Sequence, residues 1–320
     1  MSSTTPAPVP PPGDVADAPA PADTRRASSG TVESRKRPWT TGRVLTHVFL
    51  AIVTIIWLIP LVYALLASLR DYQYTAQHGY LSFGGFTVEN YVNAWTMGEF
   101  SQKFINSAII TIPSVILALF LSSMVAFVIA RFSWKFNVIM LGLFLAGNLL
   151  PPQALLIPVF KMFQAIEVPF WFSESGTLLN SHWGLIAVNV AFQIGFCTFV
   201  LSNFMKALPK EIYESAMVDG ASIWQQYWKL TLPLCRPSLA ALATLEVTWI
   251  YNEFFWATVL LQNGDKFPIT SSLTNLSGQF FTDNNLVAAG SVMIALPTII
   301  IYFLLQKHFV AGLTLGATKG

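Results

Sequence analysis

Six long apolar stretches, separated by shorter polar segments, dominate the hydropathy pattern of the chain. They cover roughly residues 44–69, 104–131, 136–161, 184–206, 237–262 and 287–310. A helix crosses a bilayer core with about 20 consecutive apolar residues, so each stretch is long enough to span it. Several stretches contain proline, which membrane helices tolerate where neighbouring groups satisfy the freed backbone atoms. The pattern predicts an all-α, polytopic membrane protein with six transmembrane helices.

The polar segment between the fourth and fifth stretches, residues 209–233, carries its own helix signals. Pro209 suits the first position of a helix, and Gly220 suits the left-handed position just after its end, which only glycine adopts cheaply. Ser222 and Gln225 have the capping-box spacing that opens a second helix. The segment is therefore predicted to form two short helices.

The second of these helices is rich in aromatic residues. It carries Trp224, Tyr227 and Trp228, and the pair Leu232-Pro233 is expected to end it. Aromatic side chains that a membrane protein exposes to water usually mark a surface for a partner. We therefore expect this loop to bind another protein, although residues one position apart on a helix cannot all face it.

Residues 1–42 form a separate compositional class, dominated by proline, alanine, serine and threonine. Such a segment cannot bury enough apolar surface to offset its ordering entropy, so we expect it to be disordered. The first apolar stretch is too long for a signal-peptide core and is interpreted as a retained span. Residues 43–320 are then the membrane domain.

Composition and charge agree with this organisation. Hydrophobic residues make up 54% of the chain and charged residues 11%, with a mean hydropathy of +0.56. The net charge of +2 is too small to indicate a nucleic-acid partner. Of the 18 lysines and arginines, only Arg70, Lys103, Lys161 and Lys266 lie on one side of the predicted spans. The positive-inside rule therefore places both termini and the 209–233 loop in the cytoplasm.

Motifs for catalysis and metal binding are absent from the sequence. It contains no G-x-x-x-x-G-K-[ST] phosphate loop, no H-E-x-x-H, no C-x-x-C and no G-x-S-x-G. The four histidines are scattered near span ends, and the two cysteines suggest no disulfide framework. We expect no enzyme activity, no metal site and no cofactor.

A motif in the polar loop resembles the signature of binding-protein-dependent ABC importer permeases. That signature is E-(A/S)-A-x-x-x-G followed, about nine residues later, by I/L-x-L-P. The matching residues here are Glu214, Ser215, Ala216, Gly220, Leu230, Leu232 and Pro233. Ser215 stands where alanine is usual, which is a small-for-small change.

Further segments resemble the carbohydrate branch of this family. They are Phe104–Ser107, Leu150–Pro152, Tyr251–Trp256 and the tail from Gln306 to Gly320, which is similar to the maltose-type second permease subunit. The resemblance runs from about residue 44 to the end of the chain. It implies a permease subunit in a bacterial inner membrane that forms a pathway for a mono-, di- or oligosaccharide.

The resemblance also implies partners: a second permease subunit in a heterodimer, two cytoplasmic ATP-binding subunits that hydrolyse ATP, and an extracytoplasmic sugar-binding protein. The 209–233 loop would couple this chain to the ATPases. The coupling residues implied are Glu214, Ser215, Ala216, Asp219, Gly220, Trp224, Tyr227, Trp228, Leu232 and Pro233. Purely structural roles, such as a loop glycine, a solvated carboxylate or a local cap, remain the alternatives for the polar and glycine positions.

Polar residues inside the stretches are candidates for the transport pathway, because ionisable groups in a membrane are costly. Glu246 and Glu253 are seven residues apart in the fifth stretch and are predicted to share a helix face, with Asn252 beside the second. Asn148 and Gln193 are candidates for hydrogen bonds to sugar hydroxyls. The alternative for the amides is hydrogen bonding between helices.

Two other transport functions remain open. One is an ABC importer permease for another solute, such as phosphate, a peptide or an amino acid. The other is a secondary transporter driven by an ion gradient, which predicts internal repeats around a midplane ion site. We find no convincing repeat, and a gradient-driven transporter leaves the aromatic loop unexplained. A membrane scaffold would not depend on ATP at all.

Overall fold

A computed structural model describes residues 41–276 and 282–314. Every regular element in these ranges is helical, with isolated bridges pairing Arg70 with Phe86 and Glu167 with Thr177. The predicted all-α class is thus confirmed for the described part of the chain. Most of the predicted disordered segment, residues 1–40, and the end of the family-like tail, residues 315–320, lie outside the described residues.

The chain divides into two units, residues 1–54 and 55–320. The described part of the first unit is the beginning of helix α1, which runs from Thr41 to Ser68. The packing described below is that within the second unit. Its longer helices are α4 (Phe100–Arg131), α5 (Phe136–Leu149), α6 (Leu156–Ala165), α7 (His182–Lys206), α11 (Arg236–Tyr251) and α14 (Asn284–Thr314). Its shorter helices are α2 (Tyr72–His78), α3 (Glu89–Met97), α8 (Lys210–Val218), α9 (Ile223–Gln225), α10 (Leu232–Leu234), α12 (Phe255–Leu260) and α13 (Ile269–Ser272).

Four helices, α1, α4, α7 and α14, are long and apolar enough to cross a membrane singly. In the third predicted stretch, the chain instead bends by 94° after α5. The segment that follows the bend consists of the 3₁₀ turn Pro152–Leu155 and α6. The bend follows from Pro151-Pro152, because prolines cannot donate a helical hydrogen bond and hold the preceding residue extended. Leu150 accordingly has ψ 128°. If this bent pair counts as one span, the described residues contain five.

The fifth predicted stretch is also interrupted. Helix α11 has 16 residues and ends at Tyr251, and α12 begins only at Phe255 and has 6. Neither piece reaches the length of about 20 residues that a bilayer core needs. The structure therefore does not confirm six spans by helix length alone.

Helix α7 lies at the centre of the second unit, against both α4 and α5. Ser122 of α4 donates to the carbonyl of Ile194, 3.2 Å away. A Cβ at Gly195 would lie only 2.5 Å from Asn148 Nδ2 and 2.8 Å from the Phe144 carbonyl. Glycine is therefore required at position 195 for α5 to approach α7 this closely.

The Phe104–Ser107 segment anchors the loop between α12 and α13. Asn106 Nδ2 donates to the carbonyls of Asp265 (2.6 Å) and Phe267 (3.0 Å). Ser107 Oγ accepts from the Ile269 N–H at 2.8 Å. Because all three groups are backbone atoms of residues 265–269, the start of α4 fixes the course of that loop.

Candidate functional site

The segment between α7 and α11, residues 209–235, contains the strongest sequence motif, and its first helix is α8. Pro209 occupies the N-cap of α8 with ψ 132°. The prediction that it takes the first helical position is therefore wrong by one residue, because its backbone is still extended. Glu211 lies in the first turn, whereas Glu214 lies beyond it and is exposed to solvent.

Helix α8 ends in a Schellman motif centred on Gly220. Gly220 has φ +77°, its N–H donates to the Met217 carbonyl at 3.0 Å, and the Ala221 N–H donates to the Ala216 carbonyl at 2.9 Å. These two bonds satisfy carbonyls that a helix end otherwise leaves free. The predicted left-handed glycine is confirmed. A Cβ added at Gly220 would meet nothing within 4 Å, so the backbone conformation alone requires glycine.

The predicted capping box is present at the start of α9. The Gln225 N–H donates to Ser222 Oγ at 3.3 Å, and the Ser222 N–H donates to Gln225 Oε1 at 2.9 Å. Both otherwise unpaired N–H groups are thereby satisfied. The turn at Gly220 and this cap together fix the direction in which the second helix leaves the first.

The second helix runs from α9 through a π-helical turn, Gln226–Thr231, into α10, which ends at Leu234. The predicted end at Leu232-Pro233 is therefore one residue early, and Cys235 alone separates α10 from α11. The Leu232 N–H bonds to the Tyr227 carbonyl, five residues back. An α-helix would place the proline ring against the carbonyl four residues before it. The wider π turn accommodates Pro233.

One buried tyrosine attaches the segment to α4, and a second joins the two helices of the segment. Tyr227 is 2% exposed, its hydroxyl lies 2.7 Å from Ser123 Oγ of α4, and its ring packs on Phe127. The expectation that Tyr227 faces a partner is therefore wrong. Tyr213 of α8 is buried as well, with its hydroxyl 3.1 Å from Thr231 Oγ1. Burial raises the pKa of both phenols, so both are neutral at physiological pH.

The outer side of the segment is an exposed apolar patch. Trp224 and Trp228 are 56% and 43% exposed, and Val218 is 88% exposed. Met217 and Ile223 complete the patch. The tryptophan rings meet edge to face, with centroids 5.6 Å apart. Sequence analysis did not assign Met217 and Val218 to the site, although two apolar residues ending a polar helix just before Gly220 are a usable signal.

The remaining motif residues are exposed or half-buried. Ser215 is exposed and donates to the Ile212 carbonyl at 3.1 Å, and Ala216 is half-buried. Asp219 is the exposed C-cap residue of α8. Leu232 is half-buried against the apolar cluster that contains Tyr213 and Tyr227. These residues shape the segment, whereas the tryptophans provide its contact surface.

The two candidate pathway carboxylates have different surroundings. Glu246 is fully buried and accepts a hydrogen bond from Cys197 Sγ at 3.1 Å, whereas its Oε2 has no partner in the structure. Glu253 accepts from the N–H groups of Trp256 (2.7 Å) and Ala257 (3.1 Å) and so caps α12. Because α11 ends at Tyr251, the prediction that both carboxylates share one helix face is wrong.

The candidate amides mostly have local partners. Asn148 donates to the Phe144 carbonyl at 3.0 Å, and Asn252 donates to the Thr248 carbonyl at 2.8 Å, each within its own helix. Gln193 is half-buried on α7. The structure thus supplies backbone partners for two of the three amides. Within residues 41–276 and 282–314, no group of three or more His, Cys, Asp or Glu side chains has the arrangement of a metal site.

Comparison with known protein families identifies the chain. Residues 118–314, which include the whole 209–235 segment, match the family described as binding-protein-dependent transport system inner membrane component. The chain belongs to this family. Its members are membrane components of transport systems, so the resemblance to ABC importer permeases is confirmed. Membership argues against a transporter driven by an ion gradient.

Similar proteins cover nearly the whole chain. A probable ABC transporter permease protein of Pyrococcus horikoshii is 32% identical over 82% of this chain and 92% of its own length. The arabinooligosaccharides transport system permease protein AraQ of Halalkalibacterium halodurans is 30% identical, covering 84% and 94%. The diacetylchitobiose uptake system permease protein NgcG of Streptomyces coelicolor is 27% identical, covering 86% and 88%.

A solved structure shares the fold. The crystal structure of a bacterial ABC transporter for import of the acidic polysaccharide alginate contains a chain that matches with a TM-score of 0.65. The identity is 22%, and the match covers 85% of this chain and 99% of that one. This chain therefore shares its fold with a chain of that ABC transporter.

Proposed function

We propose that this chain is one of two permease subunits of an ATP-driven importer for a mono-, di- or oligosaccharide. An extracytoplasmic binding protein would deliver the sugar, and two ATP-binding subunits would hydrolyse ATP in the cytoplasm. The names of the AraQ and NgcG relatives, which refer to oligosaccharide uptake, support a sugar cargo. The observation that carries the coupling role is the exposed apolar patch on a segment otherwise tied firmly to α4 and α11.

The proposed topology has six spans with both termini in the cytoplasm. The bent α5–α6 pair forms the third span and the interrupted α11–α12 pair the fifth. Proteins tolerate interrupted helices at membrane depth where other chain segments cover them. The cytoplasmic side is the side that carries the 209–235 segment, because most lysines and arginines lie there.

The proposed mechanism uses the segment as a rigid lever. A push on Trp224 and Trp228 is transmitted through the Tyr227–Ser123 bond to α4 and through the continuous π turn and α10 to α11. The Tyr213–Thr231 bond keeps α8 from sliding past the second helix. Movement of the ATPases can then reach two membrane helices without loss in a flexible joint.

The energy available at the patch is large enough to hold a partner. A tryptophan buries about 150–250 Å² when fully covered, and roughly half of that remains exposed here. At about 25 cal/mol per Å², each ring contributes about 2 kcal/mol on docking. Removing both rings should therefore weaken ATPase binding by roughly a thousandfold.

Co-purification tests this function. The full chain is expressed with its neighbouring subunits, and the retention of a P-loop ATPase after detergent extraction is measured for the native protein and for Trp224→Ala/Trp228→Ala. Trp171→Ala is the matched control, because Trp171 is also exposed but lies near the opposite end of α7. We expect loss only in the double variant. Equal retention in all three proteins contradicts the coupling role.

A second cargo class has one observation in its favour. The osmoprotective compounds uptake permease protein GgtD of Synechocystis is 27% identical over 85% of this chain. Stimulation of the complex's ATPase activity by its binding protein, loaded in turn with oligosaccharides and with osmoprotective solutes, distinguishes the two. Stimulation by osmoprotective solutes alone contradicts the oligosaccharide proposal.

A further inference from the structure

A cavity of about 550 Å³ lies beside the 209–235 segment. It is enclosed by the end of α4, the start of α5, the end of α7 and the start of α8. Its walls include Arg131, Trp134, Asn137, Lys206, Lys210 and Tyr213. No residue of the exposed apolar patch lines it, although Arg131 of its wall contacts Met217 of that patch.

Three cations of the cavity wall lack a carboxylate partner. The two ion pairs of the described chain are Lys103–Glu99 and Lys266–Glu174, and neither involves Arg131, Lys206 or Lys210. Arg131 instead lies over the Tyr213 ring, 5.2 Å from its centroid, and its Nη2 is 3.3 Å from Met217 Sδ. Both contacts leave the charge uncompensated. The cavity is therefore suited to an anion.

One residue of the cavity wall, Asn137, is held by its own hydrogen bonds. Asn137 is 7% exposed, and its Nδ2 donates to the carbonyls of Ile129 and Phe132. Those two bonds fix the amide orientation, which leaves Oδ1 as a buried acceptor without a partner. Because that oxygen has almost no accessible surface, a ligand in the cavity does not reach it, and the amide instead holds the start of α5 against the end of α4.

The position of the cavity along the helices indicates a lipid. Arg131 ends α4 and Lys206 ends α7, both of which are candidate spans. Next to the cavity, Trp134, Phe136 and Val138 are exposed. Tryptophan beside basic residues at the end of a span is typical of the level of the lipid headgroups, and basic pockets between membrane helices bind anionic headgroups.

We propose that this cavity binds the headgroup of an anionic glycerophospholipid such as phosphatidylglycerol. Arg131, Lys206 and Lys210 hold the phosphate. The inference rests on the membrane orientation of the proposed function but not on its sugar cargo. Because Arg131 also contacts Tyr213 and Met217, a bound lipid stabilises α8 from its membrane side.

Native mass spectrometry of the detergent-purified full-length chain tests the proposal, with phosphatidylglycerol and phosphatidylcholine titrated separately. We expect one tightly bound phosphatidylglycerol per chain and no comparable phosphatidylcholine. Lys206→Gln/Lys210→Gln should weaken phosphatidylglycerol binding roughly 30-fold, since each basic residue near a lipid surface contributes a factor of about five. Lys135→Gln/Lys229→Gln removes the same charge at the same end of the helices without touching the cavity and should have little effect.

Several outcomes would overturn the proposal. The first is equal binding of the two lipids, and the second is equal weakening of binding by the two double variants. The third is displacement of phosphatidylglycerol by soluble glycerol 3-phosphate at a similar concentration, which would assign the site to a soluble phosphate. Lipid binding is measured without the ATPases. Its outcome therefore does not depend on whether an ATPase co-purifies with the chain, and the two proposals can fail independently.

Discussion

Replacing Gly220 by alanine isolates the backbone conformation that joins the two halves of the 209–235 segment. The added Cβ meets no atom within 4 Å, so no steric overlap contributes. The cost is that of placing an L-residue at φ +77°, which is about 1–2 kcal/mol. This strain destabilises the turn and therefore weakens the two Schellman hydrogen bonds that the N–H groups of Gly220 and Ala221 donate. Their opening should become about 5- to 30-fold more frequent.

Hydrogen exchange of these amides in the detergent-purified chain, followed by mass spectrometry, measures that change directly. Gly142→Ala is the matched control, because a Cβ at Gly142 also meets nothing within 4 Å but its φ is helical. Alanine there should be neutral or slightly stabilising. Gly220→Asn should lie between the native protein and Gly220→Ala, since asparagine tolerates the left-handed region better than alanine.

Sugar uptake adds the functional readout for the same variants. If the segment acts as a lever, Gly220→Ala should reduce ATP-driven uptake while Gly142→Ala does not. Unchanged exchange at positions 220 and 221 in Gly220→Ala would refute the argument from backbone strain. Faster exchange with normal uptake would instead refute the need for a rigid segment.

Three further substitutions test single contacts. Tyr227→Phe should destabilise the protein by about 1 kcal/mol and lower its Tm. In a Ser123→Ala background the same change should destabilise the protein less, because the hydrogen bond between the two hydroxyls is already absent. Asn106→Ala should cost about 1–3 kcal/mol and make residues 264–269 more accessible to protease, because two carbonyls lose their donor. Glu253→Ala should cost about 1 kcal/mol through the lost α12 cap, whereas Glu253→Gln should retain most of the stability and uptake.

Each of these expectations can fail clearly. Additive effects of Tyr227→Phe and Ser123→Ala would mean that the hydroxyls do not depend on one another. Unaltered proteolysis of Asn106→Ala would mean that other contacts hold the loop. Loss of uptake in a stable Glu253→Gln variant would assign Glu253 a role in the pathway beyond its cap.

Features that depend on a few neighbouring residues could be predicted from the sequence. The apolar stretches specified helices because length and composition suffice for them. Gly220 and the Ser222–Gln225 cap were predictable because their hydrogen bonds close within five residues along the chain. Membership of the transport family followed from the motif around Glu214.

Features that depend on what packs against a residue could not be predicted from the sequence. Tyr227 lies on the same short helix as Trp224 and Trp228, and only the position of α4 decides that it points inward. The π turn before Pro233 also changes the helical phase, so a regular pattern of residues per turn fails there. Glu253 caps α12 only because α11 ends at Tyr251, and at this break the Glu253 carbonyl accepts from Thr270 Oγ1, 17 residues along the chain. The sequence by itself determined which segments are helical and where two of them are capped, because those interactions are local. The tertiary structure decided which side chains are buried and where the fifth apolar stretch breaks, because those outcomes depend on neighbouring segments.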